Sequence, residues 1–230
     1  AAVLALSVVL TVALGAASPL QAASGKRSSR SASQTASEPI FSGAVTGEIP
    51  KTRAPSVFVV DANTGRTLYE KNADEPRAPA STQKLMTALL VVENGDLDQK
   101  VVVRKEDTLA EPVMLYIKPG NVYSRYDFLN VLLVHSMNDV ARALARDNAG
   151  SLENFATRMN AKAAELGMRN SNFVNPNGLP IPGQYSTARD MAQVALAAYK
   201  NPIIRGIVCQ KSVTWHYNDG RVRGFETTNQ

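Results

Sequence analysis

The sequence contains little cysteine and little histidine. Cys209 is the only cysteine among 230 residues, which excludes an internal disulfide and a cysteine-based zinc site. The two histidines, His135 and His216, leave few candidate ligands for a histidine-rich metal centre. The chain also lacks a glycine-rich phosphate loop and a cluster of metal ligands at regular spacing. Chemistry that depends on a bound metal, a nucleotide or a disulfide framework is therefore not indicated.

Aromatic residues are also scarce, at 6%, while charged residues make up 20% of the chain and hydrophobic residues 44%. These proportions exclude a collagen-like chain, a highly charged disordered tail and a multi-pass membrane protein. The formal net charge is +5, but residues 26–54 carry five basic residues against two glutamates, which is +3 of that total. The rest of the chain is weakly basic, so the charge does not indicate a nucleic-acid partner.

No apolar run is long enough to cross a bilayer comfortably. The longest one opens the sequence, where twelve of the first fifteen residues, AAVLALSVVLTVALG, are apolar. This is the length of the hydrophobic core of a signal peptide, and a processing site is predicted near Ala22 or Ala23. The preceding basic segment is missing, so we expect the sequence to begin inside the leader; a buried helix of the domain is the alternative. We interpret residues 1–23 as a signal-peptide remnant of an exported protein.

Residues 24–54 are rich in Ser, Ala and Gly, and such a composition buries too little apolar area to offset its chain entropy. We interpret this segment as a flexible tether and residues 55–230 as the folded part. Two segments joined by a loop that contains glycine predict the strands of a β-hairpin: Ser56–Asp61 and Arg66–Tyr69. Apolar residues three and four apart predict five helices: Ser81–Glu93, Tyr126–Val134, Asp139–Asn148, Leu152–Leu166 and Thr187–Tyr199. With two short strands, Val101–Arg104 and Lys211–Tyr217, this order indicates an α+β fold.

A tetrad of the form S-x-x-K, Ser81-Thr82-Gln83-Lys84, is the first candidate for chemistry, although this composition produces such a match by chance about 0.7 times. Ser81 follows a Pro-Ala step and opens a predicted helix, where backbone N–H groups are unpaired and the helix dipole is positive. Lys84 lies one turn further on, so its amine can reach the Ser81 hydroxyl. A serine nucleophile needs a base, and a lysine serves as one when burial lowers its pKa. The tetrad is therefore a candidate for acyl transfer.

The alternative for this tetrad is structural, with Ser81 as a helix cap and Lys84 as a solvated surface residue. A second short pattern, S-x-N at residues 136–138, is equally weak by itself. His135 precedes this pattern directly. Because adjacent side chains of a helix do not face each other, a dyad of His135 and Ser136 is not favoured.

The remaining polar candidates have structural interpretations. Cys209 lies in the apolar segment IIRGIVCQ and is interpreted as a buried, inert thiol. Glu165 and Asp190 are interpreted as ordinary charges on helix surfaces, because no paired-carboxylate site includes them.

Seven segments nevertheless form a specific combination: Pro79–Thr87 (PASTQKLMT), Lys118-Pro119-Gly120, Leu132–Asp139 (LLVHSMND), Met159-Asn160, Leu166-Gly167-Met168, Asn175–Leu179 (NPNGL) and Tyr185–Asp190 (YSTARD). In this order, over roughly residues 55–230, they resemble the serine D-alanyl-D-alanine carboxypeptidases, which are low-molecular-mass penicillin-binding proteins. The joint occurrence of the segments is far more specific than any one of them.

The resemblance implies an α+β fold of the β-lactamase and penicillin-binding-protein type, with a helical body and an antiparallel sheet. It implies a peptidoglycan enzyme of the periplasm or cell envelope, at the outer face of the cytoplasmic membrane. Ser81 would attack the carbonyl between the last two D-alanines of a stem pentapeptide, with Lys84 as the proton acceptor. Ser136 would relay a proton to the leaving amine, and Asn138 would hold Lys84 and the substrate amide.

The same resemblance implies that β-lactam antibiotics acylate Ser81 and that no metal and no organic cofactor is required. Contact with a membrane surface would involve regions outside these 230 residues, and no nucleic-acid partner is expected.

The chain departs from the family pattern at its third motif, Lys-Thr-Gly, which lies on a strand lining the cleft. No Lys-Thr-Gly follows Asn138, and the nearest match, Lys51-Thr52-Arg53, precedes Ser81. In the family this strand supplies one of two oxyanion-hole N–H groups, and losing one such donor typically costs ~10²–10³ in rate. We therefore expect a sequence that stops before this motif, a sheet that is incomplete in this chain, and 230 residues that are inactive or nearly so.

Three other functions remain open. A β-lactamase shares the first two motifs, although its middle motif is usually S-D-N and the NPNGLP and STARD segments favour a carboxypeptidase. A D,D-endopeptidase that cuts cross-links has the same motifs. A non-catalytic cell-wall-binding protein on this scaffold is favoured by the missing Lys-Thr-Gly and disfavoured by the presence of both Ser81 and Lys84.

Overall fold

The computed structural model describes residues 52–228, so the predicted leader (1–23) and nearly all of the predicted tether (24–54) lie outside the described residues. Six helices form the body of this part: α1 (Lys84–Glu93), α2 (Arg125–His135), α3 (Asn138–Ala149), α4 (Leu152–Glu165), α5 (Ala188–Lys200) and α6 (Pro202–Val208). Six short strands accompany them: β1 (Val57–Val60), β2 (Thr67–Lys71), β3 (Lys100–Val102), β4 (Val122–Ser124), β5 (Ser212–His216) and β6 (Val222–Glu226).

The strands of residues 52–228 pair two by two, β1 with β2, β3 with β4 and β5 with β6, and each pair is antiparallel. The β1 strand packs on α5, and the β5–β6 pair packs on α2. Helices surrounded by small antiparallel pairs confirm the predicted α+β class. None of the helices in this range has the length and apolar character needed to cross a bilayer.

The hydrophobic core consists of two clusters, and α1 contributes to both. Leu89 belongs to the larger cluster, which is formed mainly by α2, α3 and the β5–β6 pair. Met86 belongs to the smaller cluster, together with Phe155 and Met159 of α4. Because α1 packs into both clusters, the position of its start is fixed by core packing. The predicted base, Lys84, is the first residue of α1, and the predicted nucleophile, Ser81, lies in the 3₁₀ turn directly before it.

Local sequence signals explain where several helices begin. The Ser124 hydroxyl accepts a hydrogen bond from the backbone N–H of Asp127 at 3.0 Å, and the Asp127 carboxylate accepts the backbone N–H of Ser124 in return. This is a capping box, which satisfies two otherwise unpaired donors at the start of α2. Thr187 caps α5 through the N–H of Asp190 at 3.0 Å.

The predicted hairpin and the five predicted helices are present, with ends that differ by a few residues. Residues 80–83 differ in type, because they form a 3₁₀ turn and the α-helix begins only at Lys84. Three elements were not predicted: β4, β6 and α6. β4 has only three residues and α6 only seven. β6 contains Arg223 and Gly224 and lacks an apolar alternation. None of the three has an apolar pattern that stands out from the neighbouring sequence.

Two structural interpretations of polar residues are wrong. Cys209 is exposed, because α6 turns Ile204 and Ile207 towards the core and ends before the cysteine. Asp190 is 5% exposed rather than a surface charge. Its carboxylate accepts hydrogen bonds from the backbone N–H of Asn170 at 2.8 Å and from the Ser171 hydroxyl at 2.7 Å. The helical period placed Asp190 on α5, but only tertiary packing brings the Asn170–Ser171 segment over it.

A buried ion pair supports α3. The Arg146 guanidinium donates to both carboxylate oxygens of Asp107, at 2.9 and 2.8 Å, and both side chains are buried. The same carboxylate accepts the backbone N–H of Arg104 at 2.8 Å, which holds the preceding loop. Bidentate geometry of this kind offsets the cost of desolvating both charges.

Replacing Asp107 by alanine should therefore lower the free energy of unfolding by about 3–5 kcal/mol, because a buried guanidinium would lose its partner. Glu106→Ala is the matched control, since its contact with Arg104 is 3.9 Å long and exposed, and we expect a change of about 0–1 kcal/mol. Urea denaturation of both variants measures the difference. Equal losses would show that the Asp107 pair does not support α3.

Candidate active site

Ser81 and Lys84 are in direct contact. The 3₁₀ turn Ala80–Gln83 leads straight into α1, so three residues separate the two side chains by one turn. The Lys84 Nζ atom lies 3.0 Å from the Ser81 Oγ atom, within hydrogen-bond distance. Lys84 is 3% exposed, whereas the serine beside it is open to solvent. An exposed hydroxyl with a buried amine behind it is the geometry that an activated nucleophile requires.

Burial lowers the pKa of the Lys84 amine from its usual value of 10.5 to about 7. Desolvation disfavours the ammonium form, because a charged group loses more hydration than a neutral one. A large fraction of the amine is therefore neutral near pH 7 and has a lone pair available. A neutral amine 3.0 Å from a hydroxyl can accept the hydroxyl proton.

The turn Asn175–Leu179 covers the lysine from the other side. Three successive carbonyls of this turn accept hydrogen bonds from the start of α1: Asn175 from Gln83, Pro176 from Thr87 and Asn177 from Lys84. The bond from Thr87 Oγ1 is 2.6 Å long and that from Lys84 Nζ is 2.8 Å long. The donors lie within five consecutive residues, so one turn of chain contacts one turn of helix.

Gly178 makes this close approach sterically possible. Its φ is +82°, and a Cβ atom at this position would lie 1.8 Å from the carbonyl oxygen of Ala80, the residue before Ser81. Ala80 itself has a φ of +48°, a conformation that costs a non-glycine residue free energy. Backbone strain therefore sits next to the nucleophile, where the surrounding contacts hold it in place.

Ser136 and Asn138 lie at the junction of α2 and α3. Ser136 ends α2 in the left-handed conformation, with φ +66° and ψ +34°, and Asn138 is the first residue of α3. The Ser136 Oγ and Asn138 Oδ1 atoms are buried and have no hydrogen-bond partner among the described residues. Unsatisfied polar atoms are rare in protein interiors, so each of them calls for a partner such as water or a ligand.

The helix carrying Lys84 packs against both α2 and α3, so the two motifs lie on adjoining elements of one core. No hydrogen bond within residues 52–228 joins Ser81 or Lys84 to Ser136 or Asn138. Ser81 and Lys84 are thus in direct contact. Ser136 and Asn138 lie on neighbouring elements, and each has a buried oxygen without a hydrogen-bond partner among the described residues.

The loop that leads from Leu109 to Ile117 is anchored to the start of α3. The Asn138 amide donates to the Pro112 carbonyl, and its backbone N–H donates to the Val113 carbonyl at 2.8 Å. The next residue, Asp139, is fully buried and accepts the N–H of Leu115 at 2.9 Å and that of Ile117 at 3.3 Å. Burial raises the pKa of the Asp139 carboxyl, and these hydrogen bonds oppose the rise.

Residues of the site that the sequence analysis missed are Gln83, Thr87 and the turn around Asn177. The segment NPNGL was noted in the resemblance, but only its turn chemistry was readable, because Asn, Pro and Gly favour turns. Hydrogen bonds to carbonyls about ninety residues away in the chain leave no local signal in the sequence. Within the described part of the chain, no group of three or more His, Cys, Asp or Glu side chains is placed to hold a metal ion.

An exposed serine in contact with a buried lysine of lowered pKa one turn away has the geometry of a candidate serine–lysine site for acyl transfer. The chain belongs to the peptidase S11 family, D-alanyl-D-alanine carboxypeptidase, whose sequence profile matches residues 43–229. It is 38% identical over 147 residues to the D-alanyl-D-alanine carboxypeptidase DacF of Bacillus subtilis, covering 62% of this chain and 38% of that one. It is 34% identical to a D-alanyl-D-alanine endopeptidase of Pseudomonas aeruginosa, covering 76% of this chain and 57% of that one.

A solved D-alanyl-D-alanine carboxypeptidase from Mycobacterium tuberculosis has a TM-score of 0.75 and 32% identity to this chain, over 80% of this chain and 69% of that one. This likeness confirms the predicted penicillin-binding-protein type of fold. The chain spans between about two fifths and three fifths of the length of the two curated relatives named above.

Substitution of Gly178 by alanine should test the close approach of the turn to Ala80. Gly183 has a φ of +83°, but a Cβ atom there would meet no atom closer than 3.9 Å, so Gly183→Ala is a matched control. In the control, we expect the free energy of unfolding to fall by about 1–2 kcal/mol, because alanine is strained at a positive φ. In Gly178→Ala the free energy of unfolding should fall by about 1–3 kcal/mol more than in the control, because the new methyl group overlaps the Ala80 carbonyl. Urea denaturation measures both, and similar losses would contradict the tight contact.

Proposed function

We propose that this protein is a serine-type D-alanyl-D-alanine carboxypeptidase that removes the terminal D-alanine from peptidoglycan stem pentapeptides. The observation that carries the proposal is the 3.0 Å contact between the Ser81 hydroxyl and the buried Lys84 amine in a chain of this family. The names of its relatives give the substrate class, since they are D-alanyl-D-alanine carboxypeptidases and endopeptidases. β-Lactam antibiotics are the proposed covalent inhibitors.

The proposed reaction begins with attack of Ser81 Oγ on the carbonyl carbon between the two terminal D-alanines. As the C–O bond forms, the hydroxyl proton passes to the neutral amine of Lys84. The C–N bond then breaks, and the proton that Lys84 accepted passes through Ser136 to the leaving nitrogen, so D-alanine departs as a neutral amine and Lys84 is neutral again. Water hydrolyses the acyl ester and restores the Ser81 hydroxyl.

The buried polar atoms at the α2–α3 junction support the roles proposed for the second motif. The Ser136 Oγ has an open hydrogen-bonding position, as a proton relay requires, and so does Asn138 Oδ1, which would accept a substrate N–H or the lysine amine. The other end of the Asn138 amide is anchored to Pro112, so the open oxygen has a fixed direction. Preorganised polar groups of this kind need little rearrangement during the reaction.

We also propose that the protein acts outside the cytoplasm, on the cell wall at the outer face of the cytoplasmic membrane. The apolar segment within residues 1–23, interpreted as part of a signal peptide, supports this location. The peptidoglycan substrate class, inferred from the names of the relatives, requires it.

Replacing Ser81 by alanine should abolish covalent labelling by a fluorescent penicillin, because the acyl ester forms on its hydroxyl. The exposed strand residue Ser212 provides a matched control, and Ser212→Ala should label like the wild type. Gel fluorescence after denaturation detects the covalent adduct. Labelling that persists in Ser81→Ala would contradict the assignment of the nucleophile.

The rate of penicillin acylation should rise with pH through about 7, because Lys84 accepts a proton only when its amine is neutral. Below that pH the ammonium form predominates and the rate should fall about tenfold per pH unit. Lys84→Arg should remove the reaction at every pH, since a guanidinium stays protonated. A pH-independent rate, or full activity in Lys84→Arg, would contradict the role of this amine.

A D,D-endopeptidase is the second candidate, since the Pseudomonas aeruginosa relative carries that name. Monomeric pentapeptide and a cross-linked dimeric stem peptide, compared at equal concentrations, distinguish the two activities. We expect faster release of D-alanine from the pentapeptide. Slow deacylation of penicillin would distinguish either peptidase from a β-lactamase.

A further inference from the structure

The turn Asn175–Leu179 has no role in the reaction described above, yet its carbonyls accept hydrogen bonds from Gln83 and Lys84. We propose that this turn is a positioning device for the base: its Asn177 carbonyl orients the Lys84 amine towards Ser81, and Thr87 is the positioning residue that holds the turn there. This inference rests on the proposed function, because it concerns the same nucleophile and base.

The hydrogen-bonding capacity of a neutral amine explains why a carbonyl matters at this place. A neutral amine has two N–H donors and one lone pair. The bond of 2.8 Å from Lys84 Nζ to the Asn177 carbonyl takes up one N–H. With Ser81 Oγ at 3.0 Å, fixing that N–H restricts the rotation of the amine and makes its lone pair available to the hydroxyl.

The turn is rigid enough to act in this way. The Asn175 side-chain oxygen accepts the N–H of Gly178 at 2.8 Å, and its amide donates to the Leu179 carbonyl at 2.8 Å. Gln184 ties the ends of the turn together, because it accepts the N–H of Asn175 at 3.1 Å and donates to the Leu179 carbonyl at 3.0 Å. Side chains that bond to the backbone of a turn stabilise it locally.

Thr87 connects this turn to the helix that bears the base. It lies three residues after Lys84, on the same side of α1, and is fully buried. Its hydroxyl donates to the Pro176 carbonyl at 2.6 Å, next to the carbonyl that Lys84 contacts. Without this donor the Pro176 carbonyl would be buried and unpaired, which a turn can relieve by moving away from the helix.

The test compares Thr87→Val, which has nearly the same shape but no hydroxyl, with Thr87→Ser, which restores the donor. A carbon-13 NMR titration of the lysine ε-carbons, with the Lys84 signal assigned by its loss in Lys84→Arg, reports the pKa of the amine without requiring activity. In the wild type we expect a midpoint of about 7. In Thr87→Val water should reach the amine, and the midpoint should rise by about one pH unit towards the usual value.

The acylation rate by fluorescent penicillin should follow the same order. In Thr87→Val we expect the acylation rate near pH 7 to fall about tenfold and its pH profile to move up by about one pH unit. In Thr87→Ser the rate should recover to within about twofold of the wild type. Thr67→Val, in the buried position at the start of β2, is the control for loss of a buried hydroxyl elsewhere and should change neither readout. Asn175→Ala, at a partly buried turn residue, should reproduce the change if Thr87→Val does not fold.

The two proposals fail in different ways. Acylation that is unchanged in Ser81→Ala, with a Lys84 midpoint near 7 that rises in Thr87→Val, would overturn the proposed function and support the positioning of the amine. A wild type that is acylated through Ser81, with the same midpoint and pH profile in Thr87→Val and Asn175→Ala, would overturn the positioning role alone. Loss of activity in Thr87→Ser equal to that in Thr87→Val would also overturn it, since the hydroxyl would then not matter.

Discussion

The burial of one amine, that of Lys84, is the constraint on which the arrangement of the site depends. An ammonium group out of water is costly, so the chain must lower its proton affinity and supply hydrogen-bond partners for it. Ser81 and the Asn177 carbonyl are those partners, and they come from segments almost one hundred residues apart. α1 packs into both core clusters, which hold the helix in place. Movement of α1 is therefore not a route by which the Lys84 amine reaches solvent.

Burial of the Lys84 amine lowers its pKa, and the direction of this shift implies a cost in stability. The folded chain binds a proton on Lys84 less tightly than the unfolded chain does, because the pKa falls from 10.5 to about 7. Stability is therefore reduced at and below about pH 7 and rises as the pH increases towards 10.5. The left-handed backbone at Ala80 and Ser136 adds strain at the same site. A protein that concentrates both costs beside one serine sacrifices stability for reactivity, as functional sites commonly do.

The extent to which the sequence predicted the fold depends on element length. Helices of ten or more residues were readable, because several periods of apolar spacing identify them, as in α3 and α5. Among the short elements, β3 was predicted, whereas β4 and the seven-residue α6 were not. Asp190 was misplaced because its burial comes from a distant segment. At the site, the Ser81–Lys84 pair was readable from its local spacing, whereas Thr87 showed no sign of a role until its carbonyl partner was known.

The sequence by itself determined the candidate pair Ser81 and Lys84, the second motif and the family resemblance, since a serine and a lysine three residues apart in a helical turn share a face. It also determined the capacity of residues 175–179 to form a turn, because asparagine, proline and glycine favour that conformation locally. Only the tertiary structure decided that this turn lies against α1 and that the amine is buried. Both depend on contacts between residues far apart in the chain, where Gly178 meets Ala80 and three carbonyls meet three side chains. Proton affinity is a property of that environment and not of the residue type, so the chemistry of Lys84 was settled by packing.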